Sequence, residues 1–202
     1  MLFRSKPHLF AFVLVMSFAA LILAGCGNAS HDQTAAQNAQ SIGHNDHQTA
    51  HSDPSKPQVP GSIAAEHKEL HVALDNAVKS GGKTGEAAKV VADRLSSHFE
   101  KEEQYALPEL GLLPQLAEGK VSADMKETIA LADKLKAEMP QMLAEHNGIV
   151  EALDNLANAA KSENKTDAIE FAEKLKMHAQ NEEEILYPAA ILVGEYLKLR
   201  LK

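Results

Sequence analysis

Two stretches of this chain, eighty residues apart, carry one pattern. The first is His98-Phe-Glu-Lys-Glu-Glu-Gln-Tyr-Ala-Leu-Pro108; the second is His178-Ala-Gln-Asn-Glu-Glu-Glu-Ile-Leu-Tyr-Pro188. Both read His-x-x-x-Glu-Glu, four more residues, then Pro. Each has a Glu-His pair upstream, Glu66-His67 before the first and Glu145-His146 before the second. The histidines are 31 residues apart in the first set and 32 in the second. The midpoints fall at Gly82/Lys83 and at Ser162. A pattern repeated at matching depth calls for two similar helical hairpins placed side by side.

The periodicity agrees. From Ser62 onward apolar residues recur at three, four and seven, as in Ile63, Leu70, Ala73, Leu74 and Ala77. Ser62 is expected to cap a first helix that Gly81-Gly82 stops near Ser80. Thr84 caps a second, running to about Ala106 before Pro108. Ser122 starts a third, kinked at Pro140 and ending near Lys161. Asn164 or Thr166 caps a fourth, which runs to Leu186 before Pro188. An amphipathic turn or two over 191–201 packs on the side. No strand-like alternation occurs, and the predicted fold is all-α, an up-down-up-down four-helix bundle over residues 62–202.

Residues 1–61 are read differently. Arg4 and Lys6 precede an apolar run over 9–23, short for a membrane span. The sequence Leu23-Ala24-Gly25-Cys26 closes it and resembles the lipobox of bacterial lipoproteins. That resemblance implies a signal peptide over 1–25, lipid on Cys26 and an extracytoplasmic protein held to a lipid bilayer in the cell envelope. Residues 26–61 are polar, lack periodicity and read as a disordered tether. His31, His44, His47 and His51 in it either collect metal loosely or are incidental to a solvated linker. The net charge of −8 argues against a nucleic-acid partner. A single cysteine excludes an internal disulfide and a Cys-rich metal site.

Antiparallel hairpins bring residues equidistant from the turn to one height, so His67 is expected to face His98, and His146 to face His178. Each lies ~21–24 Å from its turn at ~1.5 Å per residue. Glu102 and Glu182 follow their histidines by four residues, on the same faces. The fifth histidine of the bundle, His71, lies one turn after His67. Imidazoles and carboxylates converging in a core need a partner, and a transition metal supplies one. Ligands without thiolate suit iron, manganese or zinc. The doubled motif points to two metals bridged by Glu102 and Glu182. An oxo or hydroxo bridge and five histidines then leave one open position on two six-coordinate ions. Glu103, Glu183 and Glu184 are expected in solvent or just beyond the ligands, and Glu66 and Glu145 in water. Leu70, Leu74, Phe99, Tyr105, Leu186 and Tyr187 are candidate pocket walls as well as core residues.

These motifs, Glu66-His67, His98-x-x-x-Glu102-Glu103 with Pro108, Glu145-His146 and His178-x-x-x-Glu182-Glu183-x-x-Leu-Tyr-Pro188, resemble the hemerythrin family in its bacterial His-His-Glu branch. The resemblance covers about 62–190. It implies two iron ions, with His67, His98, His146 and His178 as ligands, Glu102 and Glu182 as bridges, and O2 or NO as the small-molecule partner. Oxygen-carrying members place their extra His-x-x-x-His on the third helix. Here the pair is His67-x-x-x-His71 on the first, and Val150 stands at the matching place in the second hairpin. His71 is taken as a ligand, the alternative being a surface residue. The expected function is binding of O2 or a related diatomic for carriage, storage or sensing, rather than catalysis. The alternatives are a redox enzyme (NO or peroxide reduction, ferroxidase action) and a zinc- or copper-buffering lipoprotein.

Overall fold

The computed structural model describes Asp53 and residues 55–202. The expected leader 1–25, Cys26 and the four tether histidines lie outside the described residues. Among those described there is no strand, and no helix is long and apolar enough to cross a membrane.

Four long helices make the bundle. They are α1 (Gly61–Lys79), α2 (Gly82–Lys101), α4 (Glu127–Ser162) and α5 (Thr166–Asn181). A short α3 (Leu113–Ala117) lies in the crossover, and α6 (Tyr187–Arg200) packs along the first half of α4. Around the bundle, α1 neighbours α2 and α5, and α4 neighbours α2 and α5. Both second helices change character at the repeated motif. Glu102–Ala106 and Glu182–Leu186 are π-helical, and Leu107 N–H bonds back five residues to the Glu102 carbonyl at 3.0 Å. Such widened turns are frequent at functional sites.

The helix ends differ from those expected. Ser62 does not cap α1, which starts at Gly61 with the Pro60 carbonyl accepting from Ile63 and Ala64. Thr84 lies inside α2. The Glu163 carboxylate, from the other hairpin turn, accepts from Lys83 N–H (2.8 Å), Thr84 N–H (3.1 Å) and Thr84 Oγ (2.7 Å). It satisfies the first free amides of α2 and holds the two turns together at one end of the bundle. Gly81 and Gly82 make their turn at φ of 68° and 63°, left-handed backbone that favours glycine. Neither Asn164 nor Thr166 caps α5 with its side chain. A single 3-10 turn, Ala123–Lys126, follows Ser122, and α4 continues through the exposed Pro140. Pro188 does not end the helical path either. It sits in the first turn of α6, where its missing N–H costs nothing. The expected turn or two is a 14-residue helix.

Two apolar clusters enclose the middle of the bundle. Toward the hairpin turns lie Leu70, Leu74, Val91, Leu95, Phe99, Ile149, Leu153, Leu156, Phe171 and Leu175. On the far side lie Tyr105, Leu107, Leu110, Leu135, Met142, Tyr187 and Ala190. Gly194 lets α6 approach α4; a Cβ there would stand 2.2 Å from that of Ala132. Gln58 N–H bonds to the Pro108 carbonyl (2.8 Å), and Val59 packs on the far cluster, so the residues just before α1 are seated on the bundle.

Candidate metal centre

Between the two clusters the six repeated residues meet. His67, His98, Glu102, His146, His178 and Glu182 are each at most 4 % exposed. They form two groups of four, His67/Glu102/His178/Glu182 and His98/Glu102/His146/Glu182, in each of which the ligand atoms lie within 4.8 Å of one another. Both carboxylates belong to both groups, and each divides its oxygens between them. Glu102 Oε1 is 3.0 Å from His98 Nε2 while its Oε2 is 3.8 Å from His67 Nε2. Glu182 Oε1 is 3.1 Å from His178 Nε2 while its Oε2 is 3.5 Å from His146 Nε2.

The pairing of histidines is a correction. His67 was expected opposite His98, and His146 opposite His178. The ring centroids that approach are those of His67 and His178 (5.1 Å) and of His98 and His146 (4.5 Å). Equal height above a turn does not fix which neighbouring helix a side chain faces. Each group therefore draws one histidine from each hairpin.

His71 is the second correction. It is exposed and belongs to neither group. The Phe99 ring stacks on His67 (4.4 Å, 13°) and meets the His71 ring in a T-shaped contact (4.9 Å, 73°), so His71 packs against Phe99. The third concerns Glu66 and Glu145, expected in water; Glu103 and Glu183 stand just beyond the histidines, one of the two places expected for them. Glu145 Oε2 bonds His98 Nδ1 at 3.0 Å, and its other oxygen receives Lys101 Nζ and Gln141 Nε2. Glu183 bonds His146 Nδ1 at 2.8 Å. Glu66 reaches 3.3 Å from His178 Nδ1, and the more exposed Glu103 3.7 Å from His67 Nδ1. Glu184 bonds only Gln180 among the described contacts. The acids beside His67, Glu102, His146 and Glu182 thus face the far nitrogen of a different histidine, with a hydrogen bond at His98 and His146 alone, a relation legible only once the helices are placed.

Of the expected pocket walls, Phe99 borders the gap between the histidines, along with Leu95, Ile149, Leu175 and Ala179, and no water-sized space remains there. Leu95 and Leu175 lie three residues before a ligand and Ile149 three after one, a spacing that could have marked them. Leu70, Leu74, Tyr105 and Leu186 are packing residues in the two clusters. Tyr187 is buried and does more: its hydroxyl donates to Glu102 Oε1 at 2.5 Å and stands 3.3 Å from His146 Nε2. Tyr105 donates to Glu138 at 2.7 Å, away from the ligands.

The electrostatics are those of coupled opposite charges. Burial opposes charging the histidines, yet the carboxylates outweigh it. His98 and His178 are raised, and His146 is pushed up to about 10 by Glu102, Glu182 and Glu183. Burial likewise works against Glu182 and Glu145. His146, His178 and His67 nevertheless hold Glu182 well below the usual range, and His98, Lys101 and Gln141 bring Glu145 to about 2. Burial and the Glu102 charge push the Tyr187 hydroxyl up, so it stays a donor.

The donor set fits metal ions. The buried Nε2 atoms of His67, His98 and His178, with Glu102 Oε2 and Glu182 Oε1, have no hydrogen-bond partner. An orphaned buried polar group is expensive. The 3.0 and 3.1 Å His–Glu separations are close, yet the atoms are not aligned for hydrogen bonds. Neighbouring ligands of one ion at ~2.1 Å bond lengths stand ~3 Å apart at right angles. The atoms are placed to share a third partner rather than each other. No curated protein and no solved structure matches the chain significantly. Residues 58–190, well over half of the chain, match the hemerythrin HHE cation binding domain, and the chain belongs to that family of metal-binding helical bundles.

Proposed function

We propose that this is a non-heme di-iron protein that binds O2 or a related diatomic such as NO, tethered in the cell envelope through lipid on Cys26. The observation that carries the reading is the pair of four-residue groups sharing both carboxylates. His67, His178, Glu102 and Glu182 would hold one ion, and His98, His146 and the same two carboxylates the other. The irons would supply the redox-active coordination chemistry that binds the diatomic. The chain's own residues do the rest. Phe99, Leu95, Ile149 and Leu175 keep bulk water from the histidines. Glu145 and Glu183 fix the rings of His98 and His146 by taking their Nδ1 protons in hydrogen bonds. Tyr187 holds Glu102 in its bridging orientation.

A second reading has a specific support. With His71 outside the cluster, four residues serve each position. More sites would then be open to exogenous ligands than in a carrier with a fifth histidine, which favours reduction of NO or peroxide, or oxidation of ferrous iron.

One experiment separates these. The full chain, purified in detergent, is reduced, and its iron per chain and visible spectrum are followed as O2 is added and removed. Two irons and a colour that comes and goes with O2 support reversible binding. Two irons that oxidise irreversibly move the assignment to the redox enzyme. Zinc or copper in place of iron overturns both.

A further inference from the structure

We propose that the two metal positions are unequal, the His98/His146 position being the high-affinity one and the His67/His178 position the exchangeable one. This rests on the dinuclear reading above and deepens it.

The two positions match in ligand type and number, so any difference must come from what lies behind the ligands. Behind the first, it is complete. His98 Nδ1 bonds Glu145 at 3.0 Å and His146 Nδ1 bonds Glu183 at 2.8 Å. Glu145 is itself anchored by Lys101 and Gln141. Behind the second, it is not. The nearest carboxylates stand 3.3 Å (Glu66 to His178) and 3.7 Å (Glu103 to His67) away, and both Nδ1 atoms lack a hydrogen-bond partner.

A carboxylate on Nδ1–H fixes the tautomer that leaves Nε2 free for a metal. It also orients the ring and makes Nε2 a stronger base. Loss of such a partner typically lowers metal affinity ~10–100-fold. Two such bonds serve one position, and none of hydrogen-bond quality serves the other.

Tyr187 sits on the same side and breaks the repeat again, since the matching residue in the first hairpin is Leu107. Its single proton goes to Glu102 Oε1 at 2.5 Å rather than to His146 Nε2 at 3.3 Å. A carboxylate oxygen has two lone pairs. Tyr187 therefore occupies one and leaves both the other and the His146 nitrogen for an ion. The second position is instead backed by the Phe99 face, which donates nothing.

The test is a titration of the full chain, stripped of metal in detergent, with cobalt(II), whose visible absorption reports each bound ion. Wild type should bind two cobalt ions in two resolved steps. Glu145→Gln and Glu183→Gln should each weaken the first step ~10-fold or more, with circular dichroism unchanged. Glu66→Gln and Glu103→Gln should leave the first step in place. Two ions bound in one unresolved step, or a first step moved by Glu66→Gln and not by Glu145→Gln or Glu183→Gln, overturns the inequality and leaves the dinuclear reading standing. Fewer than two ions in wild type overturns the dinuclear reading, and this inference with it.

Discussion

His67 and His178 come from opposite ends of the bundle sequence, yet their rings meet edge to face at 5.1 Å while each reaches toward Glu182. That contact, repeated by His98 and His146 at 4.5 Å, makes each position a joint product of the two hairpins. It also makes the carboxylates unlike the histidines in what their removal does. His67→Ala should cost one metal ion per chain and leave the other. Glu102→Ala removes a ligand from both positions and should depress both. Elemental analysis of the purified variants reads the difference; equal losses would break the sharing scheme.

Exposure of His71, edge-on to Phe99, takes it out of the ligand set. His71→Ala should therefore retain the wild-type metal content and visible spectrum. Loss of one ion on this substitution would return His71 to the ligands.

Glu109 is a buried carboxylate outside the centre. It is fully buried in the Pro108–Leu112 turn, neither oxygen has a hydrogen-bond partner, and burial pushes it up to about 7 from 4.5. The folded chain thus holds a proton that the unfolded chain has released between those values. Glu109's contribution is most favourable below about 4.5 and is lost as pH rises to about 7. Glu109→Gln should stabilise the protein by on the order of 2–3 kcal/mol at pH 8 and by little near pH 4.5. Urea midpoints of both proteins at the two pH values check this, and a gain independent of pH would exclude the titration.

Gly194 is required by the approach of α6 to α4, since a Cβ would lie 2.2 Å from that of Ala132. Gly194→Leu should cost about 1–3 kcal/mol by overpacking, seen as a lowered thermal midpoint. An unchanged midpoint would mean that α6 shifts freely on α4.

The convergence of these six residues was legible because helical spacing and distance from a turn are properties of the sequence alone. His67, His98, His146 and His178 announce a common height, and Glu102 and Glu182 a common face. Which helix each faces depends on how the hairpins are rotated together, which no spacing encodes, so the His67–His178 pairing was not foreseen. His71 shares the face of His67 by periodicity, but it is exposed and packs against the Phe99 ring. Pro188 looked like a stop because proline breaks helix interiors; at the start of α6 it is harmless. The π-helical turns at Glu102 and Glu182 have no signature in residue type. Glu109 drew no expectation from its sequence context; it lies in the Pro108–Leu112 turn, against which α4 and α6 pack.

Because Glu182 belongs to both positions, neither is whole until nearly all of the chain exists. A polypeptide emerging from the ribosome N-terminus first carries all five histidines of the bundle and Glu102 before it carries Glu182. Those early residues offer passing ions scattered, low-affinity donors rather than a cage. The two groups of donors therefore close together, at the step in which α5 docks between α1 and α4.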